Sequence, residues 1–320
     1  MVTFLIPLTF LAVALAALGI GIYVWRLEKN RAALAEASAP LARATSAPAA
    51  AEPPESKFVT VDGVRLHYVQ AGEGPDLVLI HGIGASLFIW RFLFPLLQTR
   101  YRVTALDLAG FGKSGKDVKR DYGLDAQADL FADFLSQIGI REAWLVGSSM
   151  GGAIALWAAK KNPRRFPKLA VLAPATNSSL VPANVKHFAG AAPFFRKALN
   201  RRTMKIILSR VVSRHELITD EAVDAYLEPF LDQGESLRVF WSALNLLSDK
   251  RLPRDLKDLS AKTLIIYGER DLMVPRKSMN ELKELLPNSQ LLVHREGGHH
   301  LMEDEPTWLA HELTKFFSAR

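Results

Sequence analysis

The sequence contains no cysteine among its 320 residues. This absence excludes disulfide bonds, thiolate metal sites and a cysteine nucleophile. It leaves the compartment open, because a protein without cysteine can function on either side of a membrane. The net charge of +7 is moderate and lacks the large basic excess that marks nucleic-acid binding. We therefore expect no nucleic-acid partner.

Charge is also missing from residues 3–25, which form an uninterrupted uncharged run. As a helix, this run would extend about 35 Å, enough to cross a bilayer core. Tyr23 and Trp25 stand where interfacial aromatic residues flank such helices, and Arg26 follows. A cleaved signal peptide is the alternative, but it has a basic start and a shorter apolar core. We expect residues 1–26 to form an uncleaved transmembrane anchor.

The residues after the apolar run set the expected orientation. Arg26, Lys29 and Arg31 follow the run directly, and the positive-inside rule places the following domain on the cytoplasmic side, as on a bacterial inner membrane. Residues 27–56 are rich in Ala, Pro, Glu and Ser and poor in bulky apolar side chains. Such a composition cannot build a core and predicts a flexible linker.

Residues 57–320 alternate apolar runs with helical segments. Two alternating stretches within residues 58–69 flank an Asp-Gly pair and indicate a hairpin. Six apolar runs predict further strands at residues 76–80, 103–106, 143–147, 169–172, 263–267 and 290–293. Helices are predicted between them at residues 87–97, 124–138 and 278–286, and a last one at residues 306–318. This order predicts right-handed crossovers and an eight-stranded, mostly parallel sheet with helices on both faces.

The alternation is interrupted at about residues 177–253, which show helical segments without a strand signal. We expect a helical cap above the carboxyl edge of the sheet. From Lys186 to Arg214, this segment has eight basic residues and no acidic residue. Two interpretations stay open. One is a solvated helix face above an apolar pocket, and the other is a basic amphipathic surface that rests on anionic lipid.

Residues 147–151 read Gly-Ser-Ser-Met-Gly, after a predicted strand and before an Ala-rich helical stretch. The G-x-S-x-G pattern is weak alone, but a strand-to-helix turn of this kind exposes the central serine hydroxyl above the sheet. Small residues on both sides let the strand and the helix pass closely. We therefore predict that Ser149 is a nucleophile, which needs a histidine base oriented by a carboxylate.

His299 is the predicted base, because it follows a glycine pair after the last strand, at the sheet edge that also carries Ser149. His300 is the neighbouring alternative. Asp271 is the predicted acid, because it follows the penultimate strand and lies between the serine and the histidine in chain order. Glu269, in the same loop, is the alternative acid.

Acyl transfer also needs two backbone N–H groups to stabilise the developing oxyanion. We predict those of Met150, the residue after the nucleophile, and Ile83, in the His-Gly-Ile-Gly turn at residues 81–84. His81 is interpreted as a ring that braces this turn through hydrogen bonds. Asp107 is interpreted as part of a structural turn.

Residues 57–320 resemble the alpha/beta-hydrolase superfamily. They match, in the family's order, the motifs His-Gly-x-Gly, Asp-x-x-Gly-x-Gly-x-Ser, Gly-x-Ser-x-Gly-Gly, Gly-x-x-Asp-x-x-Val-Pro and Gly-His. The resemblance implies an α/β fold with a catalytic triad of Ser149, Asp271 and His299, and neither a cofactor nor a metal. Ala109 departs from the proline of many members, which affects a turn and not the chemistry. The serine nucleophile differs from the aspartate of haloalkane dehalogenases and epoxide hydrolases.

The predicted anchor, the Gly-Ser-Ser-Met-Gly turn at residues 147–151 and the predicted cap together resemble membrane-anchored monoacylglycerol lipases and related bacterial lipases. This resemblance implies a serine esterase or lipase that acts on monoacylglycerols or medium-chain acyl esters through an acyl-enzyme. The expected partners are a lipid or small ester substrate and the membrane itself. One alternative is a C–C bond hydrolase for vinylogous diketones from aromatic degradation. Another is a non-enzymatic binding protein with the same fold, against which the complete triad argues.

Overall fold

The computed structural model describes residues 54–177, 196, 199–247 and 249–319. The predicted anchor at residues 1–26 lies outside the described residues, as does the predicted linker up to residue 53. Residues 178–195 of the predicted cap also lie outside them. Among the residues that are described, no helix has both the length and the apolar character to cross a membrane.

An eight-stranded sheet forms the centre of the fold. Its strands are β1 (Lys57–Val61), β2 (Val64–Ala71), β3 (Asp76–Ile80), β4 (Arg102–Leu106), β5 (Trp144–Ser148), β6 (Lys168–Leu172), β7 (Lys262–Gly268) and β8 (Ser289–His294). They are ordered β1-β2-β4-β3-β5-β6-β7-β8. β2 pairs antiparallel with β1 and β4, and all other pairs are parallel. The predicted eight-stranded, mostly parallel sheet is confirmed.

Helices connect the strands. In chain order they are α1 (Phe94–Leu97), α2 (Leu124–Gln137), α3 (Met150–Lys161), α4 (Arg201–Val211), α5 (Asp220–Leu227), α6 (Glu235–Leu247), α7 (Arg251–Asp255), α8 (Arg276–Leu285), α9 (Leu301–Asp304) and α10 (Pro306–Ser318). Short 3₁₀ turns cover Leu87–Trp90, His215–Leu217, Glu228–Phe230 and Leu256–Asp258. Helices α4 to α7 lie between β6 and β7, in the segment predicted to form the cap.

The parallel strands separate two hydrophobic cores. In β3, Val78 and Ile80 face one core, whereas Leu77 and Leu79 face the other. All four side chains are fully buried, and burying one such side chain stabilises the fold by about 1.5–3 kcal/mol. Burial on both faces explains why these strands read as unbroken apolar runs. Packing on both faces also holds the carboxyl ends of the strands in place, and the candidate site lies at these ends.

The predicted single helix at residues 87–97 is wrong. The chain forms a 3₁₀ turn at Leu87–Trp90, and α1 begins only at Phe94, with Pro95 in its first turn. Proline has no N–H, so a continuous helix would lose the hydrogen bond from Pro95 to the carbonyl of Arg91. A proline in the first turn of a new helix loses no hydrogen bond, because the first N–H groups of a helix have no partner within it.

Candidate active site

Ser149 lies between the end of β5 and the first turn of α3, with a φ of 52°. A non-glycine residue at positive φ stores about 1–3 kcal/mol of strain and needs support from its surroundings. The N–H of Ser149 donates to the carbonyl of Leu172 at 2.9 Å, and its own carbonyl accepts from Ala153 and Ala175 at 3.2 and 3.1 Å. The end of β6 and the start of α3 therefore hold the strained turn in place.

The glycines around Ser149 are required by close backbone contacts. A Cβ atom at Gly147 would lie 2.4 Å from the carbonyl oxygen of Gly151, and one at Gly151 would lie 2.2 Å from that of Ile80. Neither position can hold a larger residue without moving backbone. A Cβ at Gly82 would lie 3.1 Å from the Cβ of Ser149, so the predicted oxyanion turn contacts the serine.

The two predicted oxyanion donors are amides that their own elements leave unused. The turn at residues 82–85 is closed by a bond from the N–H of Ala85 to the carbonyl of Gly82 at 3.3 Å. The N–H of Ile83 takes no part in this closure. Met150 is the first residue of α3, so its N–H has no partner within the helix. Met150 directly follows Ser149, and Ile83 directly follows Gly82, which contacts Ser149.

Asp271 and His299 are in direct contact. Oδ2 of Asp271 lies 2.7 Å from Nδ1 of His299, while Oδ1 accepts from the N–H groups of Met273 and Val274 at 2.7 and 2.9 Å. A carboxylate only accepts, so Nδ1 carries the proton and Nε2 is left as an acceptor. The two side chains are 0% and 6% exposed. The structure therefore brings the predicted acid and the predicted base together at the carboxyl edge.

The alternative acid and base have partners elsewhere. Glu269 pairs with Arg276 at 2.5 Å, and its side chain is 42% exposed. Nδ1 of His300 lies 3.0 Å from Oε2 of Glu303. The geometry thus favours Asp271 and His299 over these neighbours.

A buried polar cluster, which was not predicted from the sequence, surrounds His300. The hydroxyl of Tyr226, from α5, donates to Oε2 of Glu303 at 2.7 Å and lies 2.9 Å from Nδ1 of His300. Arg91 pairs with the other oxygen of Glu303. The His300 ring stacks on those of Tyr226 and His299, with centroids 5.9 and 5.7 Å apart. The cluster joins a helix of the predicted cap to the loop of the predicted base.

The charges in this cluster support one another. Burial raises the pKa of Glu303, but the charge of Arg91 and the hydrogen bonds from His300 and Tyr226 outweigh it and hold that pKa below its usual value. Burial, and then the charge of Glu303, raise the pKa of Tyr226 well above its usual value. The tyrosine therefore stays protonated and donates. The only hint in the sequence was the short spacing between His300 and Glu303.

Asp304 fixes the loop that carries His299. Its carboxylate accepts from the N–H groups of Gly298 at 2.7 Å and of Ser213 and Arg214 at 3.0 Å. Burial raises the pKa of Asp304 although these bonds act in the opposite direction.

Across the part of the chain that is described, no group of three or more His, Asp or Glu side chains could hold a metal ion.

His81 and Asp107 have the structural roles that the sequence indicated. Nδ1–H of His81 donates to the carbonyl of Gly82 at 2.7 Å, and its Nε2 accepts from the N–H of Leu108 at 3.0 Å. Burial lowers the pKa of His81, which keeps the ring neutral. Asp107 accepts from the N–H of Lys113 at 2.8 Å and closes the turn after β4. The interpretation of both residues is confirmed.

Aromatic side chains cover the oxyanion turn. A Cβ at Gly84 would lie 3.0 Å from the ring of Phe240, in α6, and 3.7 Å from that of Phe230. Phe230 is buried and Phe240 is half-buried. The structure thus places an apolar surface over the turn, supplied by the segment between β6 and β7.

The basic stretch in α4 is partly neutralised by α5. Arg201 pairs with Asp220 and Asp224 at 3.3 and 3.2 Å, and Lys205 pairs with Asp220 at 2.8 Å. The outer face of α4 also exposes two isoleucines, Ile206 and Ile207. The basic residues end at Arg214 in the sequence, and their acidic partners follow a few residues later.

Comparisons with known proteins agree with this architecture. The family model described as "alpha/beta hydrolase fold" matches residues 75–306. The "uncharacterized hydrolase YugF" of Bacillus subtilis (strain 168) is 32% identical over 269 residues, 80% of this chain and 96% of that protein. The "2-hydroxy-6-oxononadienedioate/2-hydroxy-6-oxononatrienedioate hydrolase" of Comamonas testosteroni is 32% identical over 263 residues, 76% of this chain and 90% of that protein.

One solved structure resembles nearly the whole chain. It is a "membrane phospholipase A, a novel bacterial virulence factor", with 26% identity and a TM-score of 0.67. The match covers 99% of this chain and 98% of that one. The family match, the sheet order and the serine turn lead to one conclusion: the chain belongs to the alpha/beta-hydrolase family and is a hydrolase.

Proposed function

We propose that the protein is a serine hydrolase that cleaves carboxylic esters through an acyl-enzyme. Ser149 attacks the ester carbonyl while Nε2 of His299 takes its proton, and Asp271 stabilises the imidazolium. The N–H groups of Met150 and Ile83 stabilise the oxyanion. His299 then protonates the leaving alcohol and activates the water that releases the acid.

The contact between Asp271 and His299 carries this proposal. It fixes the tautomer that a general base needs, because Nδ1 is committed to the carboxylate and Nε2 is left to accept a proton. The contact lies at the sheet edge where Ser149 is held at positive φ. A strained serine, a buried base–acid pair and two amides outside the bonds of their own turn and helix are the parts that acyl transfer requires.

Monoacylglycerols or medium-chain acyl esters are the proposed substrates. The rings of Phe230 and Phe240 cover the oxyanion turn and suit an acyl chain better than a charged group. The likeness to the membrane phospholipase A covers 99% of the chain. We propose that residues 1–26 anchor the enzyme in a membrane, with the catalytic domain on the cytoplasmic side. The exposed isoleucines of α4 would add contact with lipid.

Hydrolysis of a C–C bond is the second candidate. The observation in its favour is the 32% identity to the Comamonas testosteroni hydrolase, whose name denotes a dicarboxylate substrate. A dicarboxylate needs cationic side chains in the site, whereas Arg91 beside the base loop is already paired with Glu303. We therefore rank the ester substrate first.

Replacement of the two adjacent serines tests the assignment. We expect Ser149→Ala to lower kcat for p-nitrophenyl butyrate by at least about 10³-fold, because the nucleophile is lost. Ser148→Ala is the matched control. Its hydroxyl is buried and makes no hydrogen bond within the described residues, so its loss should leave kcat unchanged.

The outcomes separate the candidates. A Ser149→Ala variant with full esterase activity would refute the ester proposal. A wild-type enzyme that is inactive on esters but cleaves a vinylogous 1,5-diketone would favour the C–C hydrolase instead. Both substrates are assayed by absorbance with the same protein preparation.

A further inference from the structure

A second serine, histidine and aspartate lie in hydrogen-bond order at the β1–β2 end of the sheet. His67 lies in β2, and its Nδ1 is 2.7 Å from Oδ2 of Asp107. On the other side of the ring, Nε2 is 2.9 Å from Oγ of Ser56, just before β1. His67 and Asp107 are 2% and 1% exposed, whereas Ser56 is exposed. A buried base–acid pair thus contacts the side chain of an exposed serine.

The protonation states in this group follow from its hydrogen bonds. Burial raises the pKa of Asp107, but the hydrogen bonds from His67 and from the N–H groups of Lys113 and Leu87 outweigh it and lower that pKa. The carboxylate is therefore ionised and can only accept, so Nδ1 of His67 carries the proton. Nε2 then accepts from Ser56, as in a serine–histidine pair that activates a nucleophile.

We propose that Ser56 is a second nucleophilic site, which activated esters and organophosphorus fluorides modify with His67 as the general base. The inference is independent of the proposed ester hydrolysis at Ser149. It rests on the order of nucleophile, base and orienting carboxylate, and on the exposure of Ser56.

The reaction of Ser56 with a nitrophenyl ester needs no reactant other than the ester and the protein. Oγ of Ser56 forms a bond to the acyl carbon while its proton passes to Nε2 of His67. The bond from the acyl carbon to nitrophenolate breaks, and nitrophenolate takes the proton back from the imidazolium. The products are an acylated serine and nitrophenol, with His67 neutral again.

The surroundings of Ser56 define the reagents that suit it. The Phe58 ring packs 4.9 Å from the His67 ring, and the guanidinium carbon of Arg65 lies 3.5 Å above Phe58. Arg65 thus adds a permanent positive charge next to the His67 and Phe58 rings. Since Ser56 is exposed, water solvates the developing oxyanion instead of preorganised amides. The site therefore suits reagents with good leaving groups and single modification rather than turnover.

Labelling of the full-length Ser149→Ala variant tests the proposal, because the main nucleophile is then absent. The protein is treated with p-nitrophenyl acetate and, separately, with a fluorophosphonate, and the modified serines are quantified by peptide mass spectrometry. Ser260 is the internal control, an exposed serine that makes no hydrogen bond to an imidazole within the described residues. General-base assistance predicts modification of Ser56 about 100-fold faster than that of Ser260.

A further result is expected. The Ser149→Ala/Ser56→Ala variant loses the fast adduct and keeps its melting temperature. Equal rates at the two serines, or no adduct at Ser56, would overturn the proposal and show that Ser56 only caps the histidine ring.

Discussion

The carboxylate of Asp271 has two separate contacts, one for each oxygen. Oδ1 accepts from two backbone N–H groups of its own loop, and Oδ2 holds Nδ1 of His299. The loop therefore aims the carboxylate, and the carboxylate sets the tautomer of the ring. An asparagine would keep the shape and lose the charge that stabilises the imidazolium.

Asp271→Asn should lower kcat for p-nitrophenyl butyrate by about 10³–10⁴-fold, with a much smaller effect on KM. The reason is that an amide can present an N–H to Nδ1 and so favour the wrong tautomer. Steady-state kinetics at a fixed pH measure both constants. Glu269→Gln is the control in the same loop and should keep full activity, because Glu269 pairs with Arg276 at the surface. Equal losses in the two variants would argue against Asp271 as the orienting group.

Single residues of the site could be predicted from sequence where local rules apply. Ser149, Asp271 and His299 each follow a strand that reads clearly, and the carboxyl ends of parallel strands share one edge. The contact between Arg91 and Glu303 could not be found in this way. The two residues are 212 positions apart, and nothing in a single sequence shows which distant charges meet.

Strands and helices could likewise be predicted where a local signal marks them, and not where distant residues decide the structure. The limits of β3 and α10 agree with the predictions at residues 76–80 and 306–318, because an apolar run or a starting proline marks them. The segment at residues 87–97 was less regular than its apolar spacing suggested, because Pro95 starts a new helix. The ion pairs between α4 and α5 were not predicted, because a window of basic residues does not show the acidic helix that packs beside it.

Glu303 connects three elements, since it contacts Tyr226 from α5, Arg91 after a 3₁₀ turn and His300 at the start of α9. Its pKa is lower in the folded protein than the usual 4.5. The folded state then binds fewer protons than the unfolded state at acidic pH. The contribution of this carboxylate to stability is present above pH 4.5 and is lost as the pH falls through the lowered folded value.

We expect Glu303→Gln to lower the free energy of unfolding at pH 7 by about 3–5 kcal/mol, because Arg91 is left without its buried partner. The difference from wild type should shrink below pH 4.5. Urea unfolding at pH 7, 5 and 4 measures it. Glu269→Gln, at an exposed ion pair, should change little at any of these values. A gap between wild type and Glu303→Gln that stays constant with pH would contradict the assigned role of the carboxylate.

The whole chain offers a test of the proposed membrane anchor. Residues Pro48–Arg320 form a compact unit of their own. A chain that starts at Pro48 should therefore fold and hydrolyse water-soluble p-nitrophenyl butyrate at the rate of the full chain. On monoacylglycerol in vesicles, the full chain should be at least about tenfold faster, because anchoring raises its effective concentration at the surface.

Vesicle flotation gives the control for this comparison, since the full chain should float with lipid and the shortened chain should remain in solution. Equal rates on vesicle-borne substrate, or flotation of both chains, would count against an anchor at residues 1–26. A loss of activity on the soluble ester would instead show that the shortened chain is misfolded.

The close backbone contacts at the carboxyl edge have a consequence for redesign of the enzyme. A Cβ at Gly147, Gly151 or Gly268 would lie within 2.4 Å of a backbone carbonyl oxygen, so saturation libraries at these positions should yield mostly inactive clones. The rings of Phe230 and Phe240 lie over the oxyanion turn, and they belong to the helical segment between β6 and β7. Libraries intended to change substrate preference should therefore leave the glycines fixed and vary these two aromatic positions.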